Sequence, residues 1–246
     1  MSYAASVAGR FARAALELGA GEVCAQFRRS FYLRFPGERY ACVGDVSLGR
    51  GPLNVLVEHF RPASLGEMIS VSLDTATAWT PASARAVMPN LGNARAPAEG
   101  LGGLVLGEQN PLSIHAQPAL EALAEWLAGN TLRNEAEQLI GLGPGLTPSG
   151  DDYLGGMLVA LRLSGRGGQA DALWRWLEPR LATRTSAISA AHLAAAAAGE
   201  AHEALHVALA GTWNLDALSA VGHCSGWDAL AGAVAVLRNG RSIPPG

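Results

Sequence analysis

One run, Gly141-Leu-Gly-Pro-Gly-Leu-Thr-Pro-Ser-Gly-Asp-Asp-Tyr153, constrains this chain more than any other stretch. Glycines at 141, 143, 145 and 150 and prolines at 144 and 148 exclude a helix interior or a central strand. Directly after it, Tyr153, Leu154, Met157, Leu158 and Leu161 recur at helical spacing and form one apolar stripe. The pattern predicts a tight, preset loop that feeds into a helix.

The junction carries start signals. Thr147 before Pro148 fits a capping hydroxyl with proline at the first helical position. Ser149 is the competing cap, with Asp152 three residues on in the manner of a capping box. Either way the free N–H groups and the positive dipole end point back into the glycine loop, a setting for an anion or a polarised carbonyl. Gly155 and Gly156 lie inside the helix, where glycine costs about 1 kcal/mol against alanine. That cost implies a close approach by a neighbouring helix or a ligand.

Asp151 and Asp152 in the first turn suit the dipole but repel a phosphate. Three readings stay open: they hold a bridging cation, they accept hydrogen bonds from ligand N–H groups, or they only cap the helix. A constrained loop of this length is costly unless it binds or reacts.

The run GLGPGLTPSGDDYLGG resembles the signature of the AllH-like family, a subunit of oxamate carbamoyltransferase in allantoin degradation. A second run, Val221-Gly-His-Cys-Ser-Gly-Trp-Asp228, adds to the likeness, which is expected to extend over most of the chain.

With 246 residues, 49% of them hydrophobic and 16% charged, the chain is globular and rich in core residues. A net charge of −3 gives no electrostatic footprint for nucleic acid. No apolar run reaches the roughly 18 residues of a membrane span. Arg10 and Arg13 interrupt what would be a signal-peptide core, so the cytoplasm is the expected compartment. Cys24, Cys42 and Cys224 are odd in number and form no CxxC pair, which fits a reducing compartment. All 18 basic residues are arginine. The lack of lysine excludes a Walker-type phosphate loop, a pyridoxal Schiff base and a lysine nucleophile.

Along the chain, residues 3–18 read as an amphipathic helix ended by Gly19 and Gly21. Val23–Phe27, Ser30–Phe35, Tyr40–Val46, Leu53–Phe60 and Met68–Leu73 read as strands, and Leu104–Leu106 as a last one. Helices are expected over Pro118–Leu127, Leu132–Ile140, Ala170–Leu177, Leu181–Ala198, Glu200–Ala210, Leu215–Val221 and Trp227–Leu237. Strands first and helices later give an α+β fold: a β-rich N-terminal half, a small barrel or sandwich, followed by a helical C-terminal half. The expected regions are 1–116 and 117–246, co-folded as one unit, with no internal repeat.

Three further clusters could carry chemistry. His202-Glu-Ala-Leu-His206 matches H-E-x-x-H, which on a helix sets two imidazoles one turn apart for zinc with Glu203 as base. No third histidine follows in the extended spacing, and half-buried helix histidines are the plainer reading, so His202 and His206 stand only as alternative metal ligands for a zinc hydrolase. His223-Cys224-Ser225-Gly226 brings an imidazole, a thiol and a hydroxyl together. The economical reading is a second helix start capped by Ser225, with Asp228 completing a capping box. The two serine-capped, aspartate-bearing helix starts could converge on one pocket. Arg184 lies near a helix start and could reach such a pocket. Arg162, about 22 Å along the axis from Thr147, could not.

The resemblance implies one subunit of an enzyme that moves a carbamoyl group between oxamate and phosphate, forming carbamoyl phosphate from oxalurate in the degradative direction. On that basis Gly143, Gly145, Thr147, Ser149 and Gly150 are the expected cradle. Asp151 and Asp152 would position the NH₂ group or a Mg²⁺ ion, with His223 for acid–base work and Arg184 and Ser225 as further binding groups. The implied partners are a small molecule (oxamate, oxalurate, phosphate or carbamoyl phosphate) and other subunits of the same enzyme. Neither nucleic acid nor membrane is expected. A non-catalytic scaffold whose loop docks a partner is the alternative of a different class.

Overall fold

The computed structural model describes residues 2–82, 84–211 and 215–239. The chain divides into two compact units, Met1–Ala82 with Glu200–Glu203, and Ser83–Gly199 with Ala204–Gly246. Strands occupy the N-terminal half and helices the C-terminal half, the α+β order that the sequence predicts.

The first unit is a small barrel. Its strands are β1 (Ser2–Gly9), β2 (Gly21–Gln26), β3 (Ser30–Phe35), β4 (Arg39–Gly44), β5 (Asn54–Val57), β6 (Met68–Ser72) and β7 (Thr77–Trp79), with helix α1 (Arg10–Leu16) after β1. The order β5-β4-β3-β2-β6-β1 closes because β1 also pairs with β5, and β7 lies beside the second half of β1. Strand β1 runs parallel to β6 over Ser2–Ala4 and antiparallel to β5 from Ala5, with a register shift between Ala5 and Val7. Phe31, Leu33 and Phe35 alternate on β3 and meet Val43, Val55, Ile69 and Val71 in the interior. Closure leaves these six strands no long edge.

Residues 3–18 therefore split into a strand and a shorter helix instead of one helix. Alanine-rich β1 has weak strand propensity, but partners on both edges override it. The change of direction falls at Gly9, where a Cβ would stand 2.0 Å from the Gly51 carbonyl oxygen.

The second unit holds α2 (Pro111–Leu127), α3 (Ser149–Leu163), α4 (Gly167–Arg184), α5 (Ala187–Ala197), α7 (Asp216–Ser219) and α8 (Ser225–Asn239); α6 (Glu203–Leu209) begins at the boundary residue. Several expected elements differ. Leu104–Leu106 belongs to a 3₁₀ segment, Gly102–Leu106, and the expected helix over Leu132–Ile140 is a 3₁₀ segment, Asn134–Leu139. Helix α2 starts earlier than expected because Asn110 and Ser113 form a reciprocal capping box. Helix α4 continues through Pro179, and the break comes at Thr185, where the Ser186 hydroxyl caps α5 by accepting from the Ser189 amide.

The organising contact of this unit is α3 along α8. Their starts meet, with Thr147 Oγ1 3.1 Å from Ser225 Oγ, and at the other end Arg166 donates to the Val236 carbonyl at 3.2 Å. The helices thus run in the same direction. A Cβ on Gly156 would lie 1.8 Å from the Ala229 carbonyl oxygen, and one on Gly232 would lie 1.8 Å from that of Tyr153. Each helix therefore presses a glycine onto the other's backbone.

That reciprocity follows a repeat. Ser149-Gly-Asp-Asp-Tyr-Leu-Gly-Gly156 and Ser225-Gly-Trp-Asp-Ala-Leu-Ala-Gly232 share the pattern S-G-x-D-x-L-x-G at a constant offset. The backbone agrees: Pro148 O accepts from the amides of Asp151 and Asp152, and Cys224 O from those of Trp227 and Asp228. A Cβ on Gly150 would meet the Leu139 carbonyl oxygen at 1.9 Å, and one on Gly226 that of Leu218 at 2.3 Å. The expectation of no internal repeat is corrected here. The shared positions are four residue types among variable neighbours, and their equivalence shows only when the helices are paired. The copies also differ in the length of the segment before the helix: Gly150 follows Leu139 by eleven residues and Gly226 follows Leu218 by eight. The longer first copy contains the exposed Pro144-Gly145 turn.

Gly155 offers an internal control, because a Cβ there meets only side-chain carbons at 3.7 Å or more. Gly156→Ala should destabilise the protein by about 1–3 kcal/mol or more, whereas Gly155→Ala should be neutral or stabilise by up to about 1 kcal/mol. Thermal unfolding of the two variants checks this, and equal effects would contradict the packing described.

Candidate functional site at two converging helix starts

Ser149 does not cap its own helix, as the sequence suggests it could; it is the first residue of α3, as Ser225 is of α8. The residue before α3 is Pro148, and no side chain caps that helix. The hydroxyls turn across the gap instead: Thr147 faces Ser225, and Ser149 Oγ lies 3.7 Å from Cys224 Sγ. The two runs singled out by sequence thus converge, and their hydroxyls and thiol line the junction.

Above it the loop folds back on α3. Gly143 has φ 106° and lies close over the Ser149 amide, a left-handed position that glycine adopts without strain. Gly145 has φ 101° and open space where a Cβ would be. Among the described residues, no backbone hydrogen bond engages the amides of Gly143, Gly145, Leu146 or Thr147. Those N–H groups stand at the positive end of α3.

Asp151 holds this loop in place. It is buried, and Oδ1 accepts from the Gly141 amide at 2.8 Å. Oδ2 accepts from Ser189 Oγ at 2.6 Å and from the Thr185 hydroxyl. Burial raises its pKa, and the three donors oppose that shift. With both oxygens engaged, Asp151 ties loop, α3 and α5 together.

Asp152 and Asp228 differ from Asp151. Equivalent in the repeat, each keeps a buried Oδ2 with no hydrogen-bond partner. Asp228 is fully buried; its Oδ1 accepts from the amides of Leu101 at 2.6 Å and Gly102 at 2.9 Å. Gly100 permits this approach, since a Cβ there would stand 2.5 Å from the same oxygen. Burial is the main cause that raises both carboxyls. For Asp152 the Ser225 hydroxyl opposes it, the charges of Asp228 and Asp151 add to it, and Thr147 opposes it more weakly. For Asp228 the opposing groups are Ser149, Cys224 and the two amides. The crossing is again reciprocal: the serine of each helix acts on the aspartate of the other. The Cys224 thiol is pushed up to about 12, first by burial and then by the Asp228 charge, so it stays protonated at neutral pH. It is not a thiolate nucleophile.

The remaining candidates lie elsewhere. His223 is exposed, with Nε2 2.7 Å from Glu99 Oε2. The Arg184 guanidinium pairs with Glu137 at 2.5 Å, alongside Arg180 on the same carboxylate. It is the Arg184 backbone carbonyl that approaches the loop, under Gly141. The H-E-x-x-H run does not form a helical metal site. His202 precedes α6, its Nε2 lies 3.0 Å from the Leu48 carbonyl, and burial lowers its pKa. Glu203 accepts from the Arg50 amide at 2.8 Å and pairs with its guanidinium at 3.0 Å, which occupies the expected base. Among the described residues no group of three or more His, Cys, Asp or Glu side chains is placed to hold a metal.

Sequence reasoning places Asp228 as a helix cap and assigns no role to the Gly100–Gly102 segment that receives it. The fixed offset between the two runs is the signal that pairs Asp228 with Asp152.

Residues 139–237 match the family model described as oxamate carbamoyltransferase subunit AllH. The matched segment contains both copies of the repeat, the glycine loop and the three aspartates, while the Gly100–Gly102 segment that receives Asp228 lies outside it. No curated protein and no solved structure matches the chain. No helix among the described residues is long and apolar enough to cross a membrane.

The raised carboxyls have a consequence for stability. Above about pH 4 the unfolded chain releases these protons while the folded chain keeps them. Their contribution is full below that pH and is lost as pH rises toward the folded pKa values. Asp152→Asn removes the penalty, so the variant should unfold above wild type at pH 8 and close to it at pH 4. Thermal scans across that range check the sign, and a variant less stable at pH 8 would contradict it.

Proposed function

We propose that this chain is a subunit of an oxamate-carbamoyltransferase-type enzyme and that the start of α3 binds the carbamoyl group in transit. The match over residues 139–237 supports the enzyme class. One observation carries the location: the loop before α3 holds amides without a backbone partner, and Asp152 in the first turn of that helix keeps a carboxylate oxygen without a hydrogen-bond partner. A carbamoyl group, O=C–NH₂, has the matching pair, an acceptor oxygen and an N–H donor on the same carbon.

In this reading Gly143, Gly145 and Thr147 present backbone N–H groups to the carbamoyl or phosphate oxygens. The Thr147 and Ser225 hydroxyls flank them. Charge that develops on those oxygens during transfer is stabilised by donors already in place and by the helix dipole. Ser149 and Gly150 shape the floor, and Asp151 is a positioning residue through its hold on Gly141, Thr185 and Ser189. Asp152 accepts from the NH₂ group and orients the carbamoyl carbon toward the attacking oxygen. The reaction moves the carbamoyl group between oxalurate and phosphate, releasing oxamate and carbamoyl phosphate in the degradative direction. In this reading another subunit of the enzyme supplies the cationic group for the oxalyl carboxylate, since Arg184, the arginine expected in that role, is engaged by Glu137.

Thermal unfolding of the purified chain against phosphate, carbamoyl phosphate and oxamate tests the reading. A ligand at 100 times its dissociation constant adds about 2.7 kcal/mol, a shift of several degrees. Carbamoyl phosphate should stabilise wild type, and Asp152→Asn should weaken that effect at least tenfold. A stabilisation that Asp152→Asn leaves unchanged would place the ligand elsewhere, and none at all would favour a scaffold subunit.

A further inference from the structure

The family match and the loop assign nothing to Asp228, yet it is the more deeply buried member of the pair. Its Oδ1 is held by two backbone amides, which fixes the carboxylate, while its Oδ2 has no partner. A buried acceptor left unpaired costs about 1–3 kcal/mol, more when charged. Two such oxygens, on equivalent residues of two helices whose starts touch, are a costly arrangement unless something donates to both.

We propose that Asp152 and Asp228 form a two-carboxylate clamp for one primary amide nitrogen, with each Oδ2 accepting one of its two N–H groups. This rests on the carbamoyl reading above and deepens it by naming the group that distinguishes carbamoyl from other acyl donors. A planar NH₂ offers two donors on either side of its C–N bond, and the repeat offers two acceptors related by the same exchange of helices. The lining favours this ligand over a hard cation. Mg²⁺ requires about six oxygen donors. Here one neighbour is a protonated thiol, a poor ligand for such an ion; the third carboxylate, Asp151, has both oxygens engaged, and among the described residues no group of three or more His, Cys, Asp or Glu side chains is placed to hold a metal. Parallel helices help to hold the pair, because their positive ends, about half a charge each, both stand at this point.

Acetyl phosphate is the discriminating probe, since it replaces NH₂ with a methyl group of similar size and keeps the phosphate. A site that hydrogen-bonds a polar group rejects the analogue that lacks it, because its own groups are left unpaired. Isothermal titration of the full chain with phosphate, carbamoyl phosphate, acetyl phosphate and Mg²⁺ would be run on wild type and Asp228→Asn. Asparagine keeps an oxygen for the Leu101 and Gly102 amides, so the fold is retained, and circular dichroism verifies that. Wild type should bind carbamoyl phosphate at least tenfold more tightly than acetyl phosphate, and Asp228→Asn should lose that preference while its phosphate affinity stays within about twofold.

Equal affinity for the two acyl phosphates, or a preference that survives in Asp228→Asn, would overturn the clamp and leave the anion cradle standing. Mg²⁺ binding to wild type that Asp228→Asn abolishes would overturn it in favour of a cation site. Absence of binding by all three phosphates would overturn the carbamoyl reading and the clamp with it.

Discussion

The helical unit depends on backbone-to-backbone contact between α3 and α8. With carbonyl oxygens 1.8 Å from where a Cβ would stand at both Gly156 and Gly232, only glycine permits that spacing. Two glycines inside helices cost about 1 kcal/mol each in propensity, and what they gain is proximity. The approach carries through to the helix starts, where it brings Thr147 against Ser225 and Ser149 against Cys224. Without it, two unremarkable capped helices would begin at separate points.

Parallel packing has an electrostatic cost that these residues answer. Side by side, the two helices put both positive ends together, and like partial charges repel. Asp151, Asp152 and Asp228 supply negative charge at that point, but burial raises all three. Their hydrogen bonding separates them. Asp151 uses both oxygens on the protein and is structural, whereas Asp152 and Asp228 each withhold one. The repeat explains the pairing, and its difference in length, the longer loop before α3, marks where one copy has exposed backbone donors.

Much of this is legible in the sequence. Strands β2 to β6 follow alternation of β-branched and aromatic residues, and the order of strands before helices gives the fold class. Residues 3–18 mislead because alanine favours helix, and only the partners of β1 on both edges make it a strand. The two motifs announce helix starts through glycine, serine and aspartate at short range. Local rules then assign Thr147, Ser149 and Ser225 to capping, since a hydroxyl near a helix start ordinarily serves its own backbone. Their true partners lie more than seventy residues away, and no local signal points there. Asp228 is missed for the same reason. His202 and Glu203 show the converse: a short motif with the right letters, but with both side chains engaged by residues 48–50.

The central claim is that Asp152 and Asp228 share one buried site, close enough for the charge of Asp228 to act on Asp152. Carbon-13 titration of the aspartate carboxyls, assigned with Asp152→Asn and Asp228→Asn, tests it directly. The account predicts two linked steps with at least one displaced well above the usual carboxylate range. Burial raises both, and the Asp228 charge adds to it at Asp152, so Asp228→Asn should move Asp152 part of the way back toward that range. Two independent titrations near pH 4, unchanged when the partner is replaced, would contradict it.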